Sequence, residues 1–202
     1  IVGLGGTGKK SLINFKETFL SSPQIEKAFR QAGDKEPALP DFIDLMCIDT
    51  DIFDASQSEE EAKTAAKLTE SEYHQINIQN AGQITGNLDS DTYNYLYEWF
   101  PQKLKNHIGQ ISQGAHQFRF TGRFGVFVDV QKIFQQIKTK MSRIMARSNV
   151  NQDDIIVPLT NKQGQILTPE FYIVGSLCGG SGAGMFIDIA YLMKMAYYQL
   201  SG

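Results

Sequence analysis

The chain has 202 residues, 42% of them hydrophobic and 20% charged, with a formal net charge of −3. That is ordinary globular composition, long enough for one domain with a substantial core. With no run near the roughly 18 apolar residues of a membrane helix, no signal-peptide order at the start and no strongly basic balance, the chain is expected to be a soluble cytoplasmic protein with no membrane span and no nucleic-acid partner.

From the N-terminus, Ile1 and Val2 read as the end of a strand; because the chain opens on Ile1 and not on Met, it is expected to be part of a longer protein. Gly3-Leu-Gly-Gly-Thr-Gly8 then leads into a helix from Lys9 to Leu20, with Leu12, Phe15 and Phe19 on one stripe, which stops before Ser21-Ser-Pro23. A second helical stretch, Gln24 to Gln31, ends at Gly33 and is followed by the breaker run Glu36-Pro-Ala-Leu-Pro40. Phe42 to Ile48, short and largely apolar between Pro40 and an Asp-Thr-Asp turn, reads as a strand buried on both faces of a parallel sheet. Residues 55 to 72 are acidic and alanine-rich, with an exposed helix expected over Glu59 to Leu68, and Gln75 to Asp91, rich in Asn, Gln and Gly, is expected to be irregular.

Tyr93 to Ile108 reads as helical, kinked or split by Pro101. Val126 to Met145 is the plainest helix, since Val126, Val130, Ile133, Ile137, Met141 and Ile144 recur at three- and four-residue steps while Lys132, Lys138, Lys140, Arg143 and Arg147 mostly take the other side. Ile155 to Leu159 and Gln165 to Thr168 flank Asn161-Lys-Gln-Gly164 as a small hairpin. Phe171 to Leu177 is the next strand, and Met185 to Leu200 is an apolar helix.

Charge is unevenly spread: residues 34 to 98 hold 15 acids and 3 bases, residues 101 to 148 hold 1 acid and 9 bases. Two solvated faces of opposite sign account for this, as does a basic segment set against a polyanion or the acidic face of another subunit. Cys47 and Cys178 end apolar runs and read as buried thiols, two being too few for a disulfide framework. His74, His107 and His116 lie far apart and read as surface or loop residues.

Between the last strand and the last helix stands Gly175-Ser-Leu-Cys-Gly-Gly-Ser-Gly-Ala-Gly184. Five glycines in ten residues bare the backbone, so successive N–H groups can close around an anion at a helix N-terminus. The first glycine run has the same design, and two such turns suggest one polyphosphate held by two helix starts. Alone, the first run fits several templates. Gly3-x-Gly5-x-x-Gly8 is the dinucleotide fingerprint, but the nearest candidate for the ribose-binding acid at the end of the second strand, Asp49, stands well beyond the roughly 20 residues that motif allows. Gly3-x-x-x-x-Gly8-Lys9 is close to a P-loop, yet Lys10 stands where the magnesium-binding hydroxyl belongs, with Ser11 one place late. Ser181 lacks the flanking glycine of a hydrolase elbow, because Ala183 stands two residues on.

Cys178-Gly-Gly-Ser-Gly-Ala-Gly184 resembles the signature of the tubulin/FtsZ superfamily, a small residue and then Gly-Gly-Thr/Ser-Gly-Ser/Ala-Gly between a strand and a helix. Three further segments resemble that family's loops in its order: Gly5-Gly-Thr-Gly8 its first phosphate loop, Cys47-Ile-Asp-Thr-Asp51 the strand end that reads Asn-Thr-Asp in FtsZ, and Gly114-Ala-His-Gln-Phe-Arg-Phe-Thr-Gly-Arg123 its third loop. The wording from Gly175 to Asp188 is similar to that of the divergent bacterial tubulin-like proteins. Segments near 21–40, 55–110 and 149–168 read as insertions on the FtsZ pattern.

The resemblance implies an α/β fold, a doubly wound Rossmann-like parallel sheet flanked by helices, forming one nucleotide-binding domain over 1–202 that is the N-terminal part of a GTPase domain. It implies GTP or GDP with Mg2+ as cofactor, and self-association into oligomers or filaments with nucleotide at the subunit interface. Cys178, Gly179, Gly180, Ser181, Gly182, Ala183 and Gly184 are implied around the β- and γ-phosphates, Gly5, Gly6, Thr7 and Gly8 at the α- and β-phosphates, and Gly114, Ala115 and Gly122 near the γ-phosphate. Asp49 and Asp51 fall near the phosphates and metal, and since a carboxylate meets phosphate only through a cation or water, a metal-side or loop-shaping role fits them. Lys9 and Arg119 are the nearby positive charges, Lys9 reading equally as a solvated first-turn residue. Base recognition and the acidic loop that completes hydrolysis follow this region in such proteins, so no catalytic residue is assigned and the chain alone is expected to be a poor GTPase. A non-hydrolysing structural or interaction domain of the same fold and a nicotinamide-dependent oxidoreductase are the alternatives.

Overall fold

Strands of three and four residues, flanked by helices, form the centre of the structure. The computed structural model describes residues 1–25, 27, 38–40, 42–51, 66–108, 115, 118–147 and 169–201. Among these, β1 (Val2–Leu4), β2 (Met46–Asp49), β3 (Tyr73–Gln75) and β4 (Ile173–Gly175) make one all-parallel sheet in the order β3-β2-β1-β4. The helices are α1 (Gly5–Leu20), α2 (Ala81–Gly86), α3 (Asn94–Tyr97), α4 (Arg119–Val128), α5 (Val130–Arg147) and α6 (Gly180–Ser201).

Alternation along each strand sorts side chains to two faces. Val2, Leu4, Met46 and Ile48 cluster with Phe124 of α4, Ile133 of α5 and Ile189 of α6, whereas Cys47 and Tyr73 cluster with Leu12 of α1 and with Leu68. The sheet is therefore covered by α1 on one face and by α4, α5 and α6 on the other, the doubly wound α/β arrangement that strand–glycine–helix patterns at both ends of the chain imply. β1 and β4 are neighbours, with Leu4 opposite Gly175, yet their following helices leave to opposite faces. Such a switch in direction opens a crevice beyond the carboxyl ends of the two strands.

Two part-buried polar contacts fix the edge strand. Lys16 of α1 reaches both carboxylate oxygens of Glu72 at 2.9 and 3.2 Å and the carbonyl of Lys67 at 2.7 Å, which ties α1 to the turn leading into β3. On the other face, His74 of β3 meets Asp129 at 2.8 Å. Burial by itself would push the Asp129 carboxyl up, but hydrogen bonds from His74 and Lys132 outweigh it and hold the carboxyl below its ordinary value.

Several sequence expectations shift. The helix expected from Lys9 begins at Gly5, directly on the end of β1. The single helix expected over Val126 to Met145 is two, because Asp129, held by His74, interrupts it between Val128 and Val130. Its apolar stripe is otherwise as read, with Ile133, Ile137 and Met141 buried. The strands expected over Phe42–Ile48 and Phe171–Leu177 shorten to β2 and β4. The stretch expected to be irregular contains α2, and Tyr93 to Ile108 splits at Pro101 into α3 and a 3-10 turn, Gln102–His107. His74 is buried, not a surface residue, because it belongs to a strand covered on both faces. Cys47 is buried as expected and its thiol is pushed up to about 12, first by burial and then by the Asp49 charge; Cys178 is exposed, because its glycine turn runs over the surface. The hairpin at 155–168, most of Gln24–Gln31 and of Glu59–Leu68, and His116 lie outside the described residues. Among the described residues, no helix is long and apolar enough to cross a membrane.

Candidate functional site

β1 ends at Leu4 and turns into α1 with no intervening loop, which forces Gly5 to φ +67°, a conformation that side-chain-bearing residues rarely adopt. A Cβ on Gly5 would stand 3.0 Å from Ser181 Cβ and 3.3 Å from the Gly182 nitrogen, so the first glycine turn touches the second. Gly182, in the first turn of α6, is equally confined: a Cβ there would fall 2.6 Å from the Ser176 carbonyl oxygen and 3.3 Å from that of Leu4. The two turns, some 170 residues apart in sequence by their numbers, converge at the crevice beyond β1 and β4.

A cleft of about 260 Å³ lies there. Gly5, Gly6 and Thr7 line it from one turn and Gly179, Gly180, Ser181 and Gly182 from the other, with Asp49, Asp51 and Ala115 completing the expected set. Neither α1 nor α6 carries an acid in its first turn, so the positive ends of two helix dipoles meet the cleft without a compensating acid of their own. Burial pushes the Asp49 carboxyl above its ordinary value and the neighbouring Asp51 charge adds to the rise, against hydrogen bonds from the backbone of Thr50 and Asp51 and from the Ser181 hydroxyl. Asp51, by contrast, is exposed at the rim.

The other expected residues stand behind or beside the cleft. Gly8, Gly122 and Gly184 are packing positions: added Cβ atoms would strike the carbonyl of Val174, the carbonyl of Gly180 and the backbone of Arg119 respectively. Lys9 places its ammonium 5.6 Å from the centre of the Tyr73 ring, and Arg119 donates to the Leu177 carbonyl at 3.2 Å. Cys178 donates its N–H to Ser176 Oγ at 3.1 Å, Ala183 sits within α6, and Gly114 lies outside the described residues. No basic side chain lines the cleft among the described residues. No cluster of three or more His, Cys, Asp or Glu there is arranged to hold a metal. Asp49 and Asp51 nevertheless suit magnesium, which takes one or two carboxylates and completes its shell with phosphate oxygens and water.

Sequence reasoning missed Leu4 and Ser176, which also line the cleft, and Thr50 behind it. Thr50 is fully buried between the two acids; its Oγ1 accepts the Ala115 N–H at 2.8 Å and lies 3.0 Å from Ser181 Oγ. The Asp-Thr-Asp wording at the end of β2 was the available signal, and it drew attention to the acids alone.

A doubly wound parallel sheet whose direction switch is flanked by two glycine turns, each opening a helix, defines an α/β protein with a crevice of anion-binding geometry. The chain matches the family described as tubulin-like over residues 1–202, and it belongs to that family. No curated protein and no solved structure matches it.

Proposed function

We propose that this tubulin-like chain binds a guanine nucleotide with Mg2+, the polyphosphate lying across both glycine turns, and that it self-associates with the nucleotide at the contact between subunits. The observation that carries the reading is the meeting of Gly5–Thr7 with Gly179–Gly182 at one cleft. The open N–H groups of two helix starts and the hydroxyls of Thr7 and Ser181 are the donors that a phosphate chain requires. With no Lys or Arg on its walls among the described residues and two carboxylates among them, the cleft draws its positive charge from the helix dipoles and from a cation. Asp49 and Asp51 would hold Mg2+, which when bound neutralises phosphate charge. As membership of the tubulin-like family suggests, turnover is assigned to the assembled protein and not to the single chain. Guanine selectivity is supported by family membership alone.

The test is a parallel titration with GTP, ATP and NAD in the presence of Mg2+, with light scattering followed throughout. NAD belongs in the set because Asp49, ending β2 beside β1, takes the place of the ribose-binding acid of dinucleotide folds. Saturable GTP binding with ATP and NAD weaker, and scattering that rises with GTP, is the expected result. Equal binding of ATP removes guanine selectivity, preferential binding of NAD replaces the reading, and binding of none of the three leaves a structural domain of the same fold.

A further inference from the structure

Thr50 joins three segments that the chain keeps far apart. Its hydroxyl bonds Ala115, 65 residues away, and Ser181, 131 residues away, and its own N–H donates to Asp49 Oδ1 at 2.7 Å. A hydroxyl has one proton and two lone pairs. One lone pair holds the Ala115 N–H, and the 3.0 Å contact between Thr50 Oγ1 and Ser181 Oγ is a hydrogen bond in which either hydroxyl can donate. Thr50 thus ties Ala115 to Ser181 through its hydroxyl and holds Asp49 through its N–H. Every member except Thr50 lines the cleft.

We infer that Thr50 is the positioning residue of this site: without touching the ligand, its buried hydroxyl sets the distance between the Ala115 wall and the Ser181 turn, and so the width of the cleft. The effect on nucleotide binding rests on the function proposed above, whereas the coupling of Ala115 to Ser181 rests on the hydrogen bonds alone. A buried N–H left without an acceptor carries a desolvation cost larger than the net worth of the bond it lost, so removal of this one hydroxyl is felt at Ala115 first.

The experiment compares Thr50→Val, which keeps the side-chain shape, with Thr50→Ser, which keeps the hydroxyl. Amide hydrogen exchange at Ala115 is measured without ligand, and GTP affinity is measured in Mg2+. In Thr50→Val the Ala115 amide is expected to exchange about tenfold faster and GTP affinity to fall about tenfold, the size of one hydrogen bond, with Thr50→Ser restoring both. Unchanged exchange at Ala115 in Thr50→Val overturns the coupling, and faster exchange with unchanged GTP affinity overturns the positioning role. If the unaltered chain binds no nucleotide, the proposed function fails and the exchange result still decides the coupling. Should Thr50→Val not fold, Ser181→Ala carries the test: it removes the anchor of Thr50 on the second turn, and Ala115 exchange as slow as in the unaltered chain overturns the inference.

Discussion

Gly6 and Gly182 both line the cleft, but a methyl group would meet open space at the first and the Ser176 carbonyl at 2.6 Å at the second. Gly6→Ala is thus expected to fold as well as the unaltered chain or up to about 1 kcal/mol better, since alanine loses less backbone freedom in a helix, while GTP affinity falls because the methyl stands where phosphate is to lie. Gly182→Ala is expected to lose affinity and about 1–3 kcal/mol of stability together through overpacking. Thermal melts beside nucleotide titrations separate the two cases, and Gly6→Ala binding GTP unchanged would show that phosphate does not pass that residue. Asp49 makes a different demand on the fold. Its folded-state pKa is raised, so its contribution to stability is complete below the unfolded carboxylate value and is lost as pH rises through the folded value. Asp49→Asn removes that loss, and melting curves across pH should show the variant more stable than the unaltered chain at neutral pH and flatter in its dependence. A variant less stable at every pH contradicts this.

The contact between α4 and α6 transmits packing to the cleft. Gly122 of α4 lies against the Gly180 carbonyl, where a Cβ would come within 2.6 Å. Gly122→Ala is expected to destabilise the fold by about 1–3 kcal/mol and to weaken nucleotide binding although Gly122 does not line the cleft; a melt and a titration that both match the unaltered chain would contradict it. At the other end of α4, Asp129→Ala leaves buried His74 without its partner and is expected to cost about 1–3 kcal/mol. Because the Asp129 carboxyl is held below its ordinary value, its share of stability is present above the unfolded carboxylate value and lost as pH falls through the folded one, so the gap between the two proteins should close in acid. These helices also show where sequence pattern is informative. The glycine turns were legible because close backbone approach leaves no room for a side chain at Gly5 and Gly182, and the α5 stripe because Ile133, Ile137 and Met141 keep a helical period. β3 was not, since three residues of Tyr, His and Gln carry no apolar alternation; its place comes from pairing with β2 and from the Lys16–Glu72 tie. The interruption at Asp129 was hidden because the apolar period runs through it, and only its bond to a distant histidine marks it.

The parallel, doubly wound sheet could be read from strand, glycine turn and helix recurring at both ends of the sequence, but the strand order could not, because no local signal says that β1 lies beside β4. That adjacency brings the two turns together, and with it ten of the eighteen residues expected at the site onto one cleft. Thr50 was illegible for the same reason, its meaning lying in partners 65 and 131 residues away. If both helix starts hold one phosphate chain, binding must shield both. Amide hydrogen exchange of the full chain, with and without GTP and Mg2+, reads this: the expected result is slowed exchange at Gly5–Gly8 and at Gly179–Gly182 over the same range of nucleotide concentration. Slowing at one turn alone, or at neither while GTP binds elsewhere, would contradict a shared cradle.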